Sequence, residues 1–145
     1  MGLLDFMKNV GRKVLGKGDD SKEIERLVNT ELGDQVRNLN VIYKNGIVTL
    51  EGEADSQAAK EKAVLIAGNV YGVERVMDDA FRAPQEEEVE FYTIVSGDSL
   101  SKIAKRYYGN AMKYPLIFEA NREVIKDADL IYPGQKIRIP KLKVD

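Results

Sequence analysis

The segment at 83–90, Ala83-Pro84-Gln85-Glu86-Glu87-Glu88-Val89-Glu90, limits what the rest of the chain can build. It carries four acidic side chains, no basic ones, one proline and almost nothing to bury. Charge repulsion and proline keep such a stretch extended, so it reads as an acidic linker. Cutting 145 residues there leaves 1–82 and 91–145. Each length suits one small domain with a small core.

The composition narrows the chemistry. The chain has no Cys and no His. That removes disulfides, thiolate nucleophiles, imidazole bases and the usual ligands of zinc, copper and iron. A cation site in such a chain is built from oxygen. The net charge of −2 divides into −2 over 1–82, −4 over 83–90 and +4 over 91–145. The basic C-terminal half attracts anions, but it has no dense basic run, so no nucleic-acid partner is expected. A catalytic triad lacks its base. The acidic groups Asp78-Asp79 and Glu86-Glu87-Glu88 fall on a strand pattern and in the linker, where solvated charge is their ordinary use. The chain is therefore not expected to be an enzyme, and no catalytic residue is assigned.

From Met1 to Lys17, Leu3, Phe6, Met7, Val10 and Val14 fall at helical spacing, which predicts an N-terminal amphipathic helix packed on the first domain. Gly11 and Gly16 would break or end it. The apolar runs are too short for a secretory signal or a bilayer span, so a cytoplasmic protein with no transmembrane segment is expected. Asp20 or Ser21 is placed to cap a helix from Lys22 to about Leu32, with Ile24, Leu27, Val28 and Leu32 inward and Gly33 as the stop. Two β-branched runs, 39–44 and 47–53, flank Asn45-Gly46, a strong hairpin signal. Gly52 suggests a strand end or a bulge. An Ala-rich helix follows Asp55 or Ser56 and ends in Gly68-Asn69-Val70-Tyr71-Gly72-Val73, a turn that leaves helix carbonyls without helical partners. A strand over 74–81 completes the order helix, strand, strand, helix, strand. Beyond the linker, a strand at 91–95, a helix from Leu100 to Tyr108, a second at about Lys113–Asn121 presenting Leu116, Ile117 and Ala120, and a strand at 136–140 give β-α-α-β. The fold class is α+β in two small domains.

The first half resembles a BON domain over roughly 20–82. The resemblance is carried by Asn45-Gly46-Ile47-Val48-Thr49-Leu50-Glu51-Gly52, the Ala-rich helix and Gly72-Val73-Glu74-Arg75-Val76. The second half resembles a LysM domain over 91–140. There it is carried by Tyr92-Thr93-Ile94-Val95-Ser96-Gly97-Asp98-Ser99-Leu100, Ile117-Phe118-Glu119-Ala120-Asn121 and Ile131-Tyr132-Pro133-Gly134-Gln135. Taken whole, with Met1-Gly2-Leu3 at the start and Gly68-Asn69-Val70 at the turn, the chain resembles the bacterial cytoplasmic potassium-binding BON–LysM proteins. That resemblance implies selective, reversible K+ binding in a sensing or buffering role, with K+ as the bound ion and no protein partner named. A monomer is expected.

Potassium suits a shell of neutral carbonyl oxygens, whereas a carboxylate cage favours calcium. Two segments offer turning backbone, Met7 to Arg12 and Gly68 to Val73. The expected ligands are the main-chain carbonyls of Met7, Val10, Arg12, Gly68, Val70 and Val73. The LysM resemblance implies an alternative, binding of peptidoglycan- or chitin-type glycans at Gly97, Asp98, Ser99, Leu100, Leu130, Ile131, Tyr132, Pro133 and Gly134.

Overall fold

The computed structural model describes residues 3–16, 18–84 and 89–141. The chain divides into two compact units, 1–86 and 87–145. Residues 85–88 of the acidic segment lie outside the described residues.

The first unit contains β1 (Leu3–Asp5), α1 (Asp20–Leu32), β2 (Val36–Lys44), β3 (Ile47–Ala54), α2 (Gln57–Gly68) and β4 (Arg75–Arg82). Asp19 caps α1 by accepting from the Lys22 N–H, one residue ahead of the nearer expected cap, Asp20, so the helix starts at Asp20 rather than at Lys22. Gly33, at a φ of 52°, closes it. Ile24, Val28 and Leu32 form its buried face. Asn45 and Gly46 both take positive φ, 52° and 83°. Two successive left-handed residues match the twist of a tight hairpin, and β2 pairs antiparallel with β3 through it. The pairing slips between Arg37 and Asn40. Opposite that bulge sits Gly52, where a Cβ would lie 2.8 Å from the Arg37 and Asn38 carbonyl oxygens. Only glycine allows that approach.

Ser56 caps α2, which then crosses over so that β4 can pair parallel with β3. From Ala63 to Gly68 every residue of α2 is buried. The small Ala59, Ala63 and Ala67 bring its backbone close to its neighbours. The sheet order is β1-β4-β3-β2, and Val41, Val48, Leu50, Val76 and Phe81 are buried in its core.

One expectation fails. The N-terminal segment forms no helix among the described residues. Leu3–Asp5 is an edge strand paired antiparallel with β4, Leu3 opposite Met77 and Asp5 opposite Arg75, and residues 6–16 form a loop. The free edge of β4 offers this segment backbone partners. Gly11 and Gly16 take φ of 108° and 85°, which an α-helix does not allow.

The second unit contains β5 (Val89–Thr93), α3 (Leu100–Tyr108), α4 (Tyr114–Ala120) and β6 (Lys136–Pro140), with β5 antiparallel to β6. The strand thus begins two residues inside the segment read as linker. Ile94, Leu100, Ile103, Ala104, Ile117, Ile125, Ile137 and Ile139 make the core. Asn121 ties that core together: its Nδ2 donates to the Ile117 and Arg138 carbonyls, and its Oδ1 accepts from the Arg138 N–H. Leu116, expected inward, is 45% exposed, because Ile117 takes the inward position of this short helix.

Candidate metal centre

Helix α2 ends at Gly68, and the chain must turn at once to start β4. Asn69 N–H donates to Leu65, Val70 N–H to Ala67 and Val73 N–H to Val70. Gly72 takes a φ of 103°, which makes it the residue that lets the 70–73 turn close.

The loop after β1 lies along this turn as a strap. Phe6 N–H donates to the Glu74 carbonyl at 2.8 Å, Gly72 N–H to Lys8 at 2.7 Å, Arg12 N–H to Asn69 at 3.1 Å and Tyr71 N–H to Arg12 at 2.8 Å. Arg12 and Val70 form a parallel bridge. Two glycines permit the fit. A Cβ on Gly68 would lie 2.1 Å from Cζ of Phe6, so the ring occupies the notch glycine leaves. A Cβ on Gly11 would lie 1.6 Å from the Asn69 carbonyl oxygen. Lys13 rests over the Tyr71 ring at 5.0 Å, and Asp5 pairs with Arg75 at 3.5 Å.

The structure therefore brings together the two segments that carry the expected carbonyls. Arg12 meets Val70 directly. Met7 and Val10 lie within the strap between its bonded residues, Gly68 just before Asn69, and Val73 between Gly72 and Glu74. The Arg12 carbonyl accepts from Tyr71 and the Val70 carbonyl from Val73. Each keeps a second lone pair. The Met7, Val10, Gly68 and Val73 carbonyls receive none of these bonds. Val70 and Val73 are fully buried, so the turn is shielded from water on its inner side. Among the described residues no three acidic side chains converge to hold a metal. The donor set at hand is main-chain oxygen, which fits a weakly held monovalent cation. The strap and its role in shaping this turn are where sequence reading fell short. Gly11 was visible only as a helix breaker, and nothing marked Phe6 as the partner of Gly68.

The alternative residues occupy two loops of the second unit. Gly134 N–H donates to Ile94, and Ile94 N–H to Gln135, which joins the bases of both loops. Within them, Leu100 is core and Ser99 Oγ caps α3. Asp98 is 5% exposed in its side chain. Its Oδ2 accepts from Tyr92 Oη at 2.5 Å and from Val95 N–H at 2.9 Å, and Arg106 stands 3.5 Å from Oδ1. Burial pushes the Asp98 carboxyl up, but these hydrogen bonds and the Arg106 charge outweigh it and hold the group below the usual carboxylate range. Leu130, at 67%, and Pro133 are exposed, while Ile131 and Tyr132 are half-buried. A separate open cleft of about 350 Å³ is lined by Glu90, Tyr107, Tyr108, Ile139, Pro140 and Lys141 and includes none of the expected residues.

A family model for the BON domain matches residues 19–84 and one for the LysM domain matches 92–140. Fold and matches together define a two-domain BON–LysM protein. An Escherichia coli relative named "Potassium binding protein Kbp" is 40% identical over 148 residues, covering 97% of this chain and 99% of that protein. The chain belongs to that protein's family. An uncharacterised Deinococcus radiodurans protein is 38% identical over 113 residues, covering 70% of this chain and 44% of the relative. The Mycobacterium tuberculosis protein named "Esterase Rv1288" is 48% identical over 48 residues, 33% of this chain and 10% of that protein. Among the described residues no helix is long and apolar enough to cross a membrane.

Proposed function

We propose that this chain is a selective potassium-ion binding protein of the cytoplasm, acting as a K+ sensor or buffer rather than as an enzyme. The ion is held by backbone carbonyls of the strap and the BON domain: Met7, Val10, Arg12, Gly68, Val70 and Val73. The observation that carries the reading is the lacing of the strap, Phe6 to Arg12, against the turn, Asn69 to Glu74, by four main-chain hydrogen bonds. The name of the Escherichia coli relative supports the choice of ion.

The chemistry is consistent with that ion. Potassium is large and singly charged, and several neutral carbonyl dipoles offset the loss of its water shell. The same shell serves a divalent cation poorly, because it supplies no formal negative charge. The strap and the turn are far apart in sequence, so an ion bridging them binds only the docked state. At a hundredfold excess over Kd that stabilises the fold by about 2.7 kcal/mol.

Isothermal titration of the full chain with K+, Na+ and Ca2+ tests the reading. A saturable K+ heat with weaker Na+ and Ca2+ responses is expected. Equal heats for K+ and Na+, or none for either, sink it.

The LysM match favours one second reading, glycan binding at Gly97–Leu100 and Leu130–Gly134. It predicts amide shift changes in both loops on adding chitin oligomers, and their absence removes it.

A further inference from the structure

Four main-chain hydrogen bonds lace strap to turn, and a side chain of the sheet adds a bond to the same turn. Tyr43, near the end of β2, donates its hydroxyl to the Gly72 carbonyl at 3.0 Å. Resting on the potassium reading, we propose that Tyr43 is a positioning residue for the ion site and that its hydroxyl tunes K+ affinity and selectivity without touching the ion.

The argument begins with Gly72. This residue lies between Val70 and Val73, whose carbonyls are two of the six proposed ligands. Its φ of 103° lies in a region where glycine meets little steric resistance. Sterics alone therefore leave the peptide planes on either side of Gly72 easy to rotate. Hydrogen bonds set them instead. The Gly72 N–H is taken by the Lys8 carbonyl and the Val73 N–H by the Val70 carbonyl. The Gly72 carbonyl oxygen is held by Tyr43. With that bond in place, the 72–73 peptide is fixed at both its oxygen and its nitrogen, and through that nitrogen it holds the Val70 carbonyl; the next plane, which carries the Val73 carbonyl, is held in turn by the Glu74 N–H donating to the Gly46 carbonyl at 2.8 Å. Without the Tyr43 bond, the oxygen end of the 72–73 plane is released.

Tyr43 is itself held. Its backbone N–H donates to Ser21 Oγ, in the first turn of α1, at 2.8 Å, and its strand position pairs with Val48. Its hydroxyl and Leu15 Cδ1 both approach the open face of Gly72, at 3.5 and 3.4 Å from where a Cβ would sit. The glycine is thus bracketed by the strap and by the sheet. A path of direct contacts runs from α1 through Ser21 and Tyr43 to the turn. On the size-fit account of carbonyl selectivity, a rigid ring separates ions of different radius better than one that can shrink around the smaller ion. Removing the hydroxyl is therefore expected to cost discrimination as well as affinity.

The test is Tyr43→Phe in the full chain, which keeps the ring and deletes the donor. Titrations with K+, Rb+ and Na+ are read beside melting in ion-free buffer. A K+ affinity loss of roughly two- to tenfold is expected, the size of one neutral hydrogen bond, with the K+ to Na+ ratio falling; the ion-free melting temperature falls too, by no more than that one bond contributes. Amide resonances of Gly72 and Val73 should shift. Ser21→Ala, which loosens the Tyr43 backbone but keeps the hydroxyl, should move affinity in the same direction by less. Unchanged affinity and ratio in Tyr43→Phe overturn the proposal while leaving the potassium reading intact. A drop for all three ions with the ratio preserved also overturns it, since that is the mark of a merely structural residue. A wild-type chain that takes up no K+ overturns both.

Discussion

The strap-and-turn region of the first unit and the loop between β5 and α3 in the second solve the same problem with different materials. Each must hold an irregular stretch of backbone in one shape. The strap does it with main-chain hydrogen bonds and with two glycines, Gly11 and Gly68, that let chain segments approach where any side chain would collide. The β5–α3 loop does it with side chains: Asp98 gathers Tyr92, the Val95 N–H and Arg106. Arg106 also lies over the Tyr92 ring, which Tyr107 meets edge-on. A loop pinned by side chains has spent its polar groups internally. A loop pinned by main chain keeps carbonyl oxygens to offer, and it can hold a cation without a carboxylate.

The sharpest way to break that contrast is Gly11→Ala. A Cβ 1.6 Å from the Asn69 oxygen cannot be accommodated without lifting the strap. Potassium affinity should fall at least tenfold, and the K+-dependent gain in stability, about 2.7 kcal/mol at a hundredfold excess over the wild-type Kd, should fall to about 1.4 kcal/mol or less at the same K+ concentration. Melting curves in equal concentrations of KCl and NaCl report both. If the variant keeps wild-type K+ affinity, main-chain lacing is not what assembles the site.

Next in size is Asp98→Asn. Losing charge-assisted hydrogen bonds costs about 1.5–3 kcal/mol, at the lower end here because Arg106 is half-exposed and screened. Denaturant unfolding followed in the second unit should show it, with K+ binding untouched. A loss of K+ affinity would mean the loop is not an independent device.

A smaller effect separates two buried carboxylates by pH. Asp98 sits below its ordinary value of 3.8, so its contribution to stability is complete above that pH and is lost as pH falls through the folded value. Asp78 is the reverse. Burial pushes its carboxyl up against the opposing pull of Lys60 at 3.8 Å, and its Oδ1 has no hydrogen-bond partner among the described residues. Its contribution is present below 3.8 and lost as pH rises through the raised value. Asp78→Asn should therefore flatten the stability profile of the first unit between pH 4 and neutrality. Stability measured at a series of pH values checks this, and an unchanged profile refutes it.

Smallest of all, Lys13→Ala removes a cation–π contact at a largely exposed site, worth about 0.5–1 kcal/mol. A change beyond that in K+ affinity would show that strap side chains matter more than strap backbone.

The same contrast explains what could be read in advance. Side-chain chemistry is written in residue types. Asn45-Gly46, Gly52 opposite a bulge, Ser56 and Ser99 as caps, and the small face of α2 all follow from local preference, and the order of elements follows from them. The strap was misread because Leu3, Phe6, Met7, Val10 and Val14 satisfy helical spacing. Spacing records which residues are apolar and says nothing of a free strand edge waiting on β4, some seventy residues away. The main-chain oxygens of Met7 and Val10 belong to every residue type, so composition could not single them out. Tyr43 lies in the strand run 39–44, and nothing in that pattern marks its hydroxyl. Its hydroxyl reaches the Gly72 carbonyl because the hairpin ends beside Gly72, which only the assembled sheet reveals.

The pairing of Leu3 with Met77 also orders events in time. A ribosome adding about 5–20 residues per second makes β1 several seconds before β4 exists. Until then the strand has no edge to join and the strap no turn to lie on. Closing a loop of that length carries an entropy cost that grows only logarithmically with length, so the delay comes from synthesis rather than from the search. The proposed ion site is thus assembled only once residue 77 has been made, and a chain stalled between residues 74 and 76 has every proposed ligand except the order that makes them one.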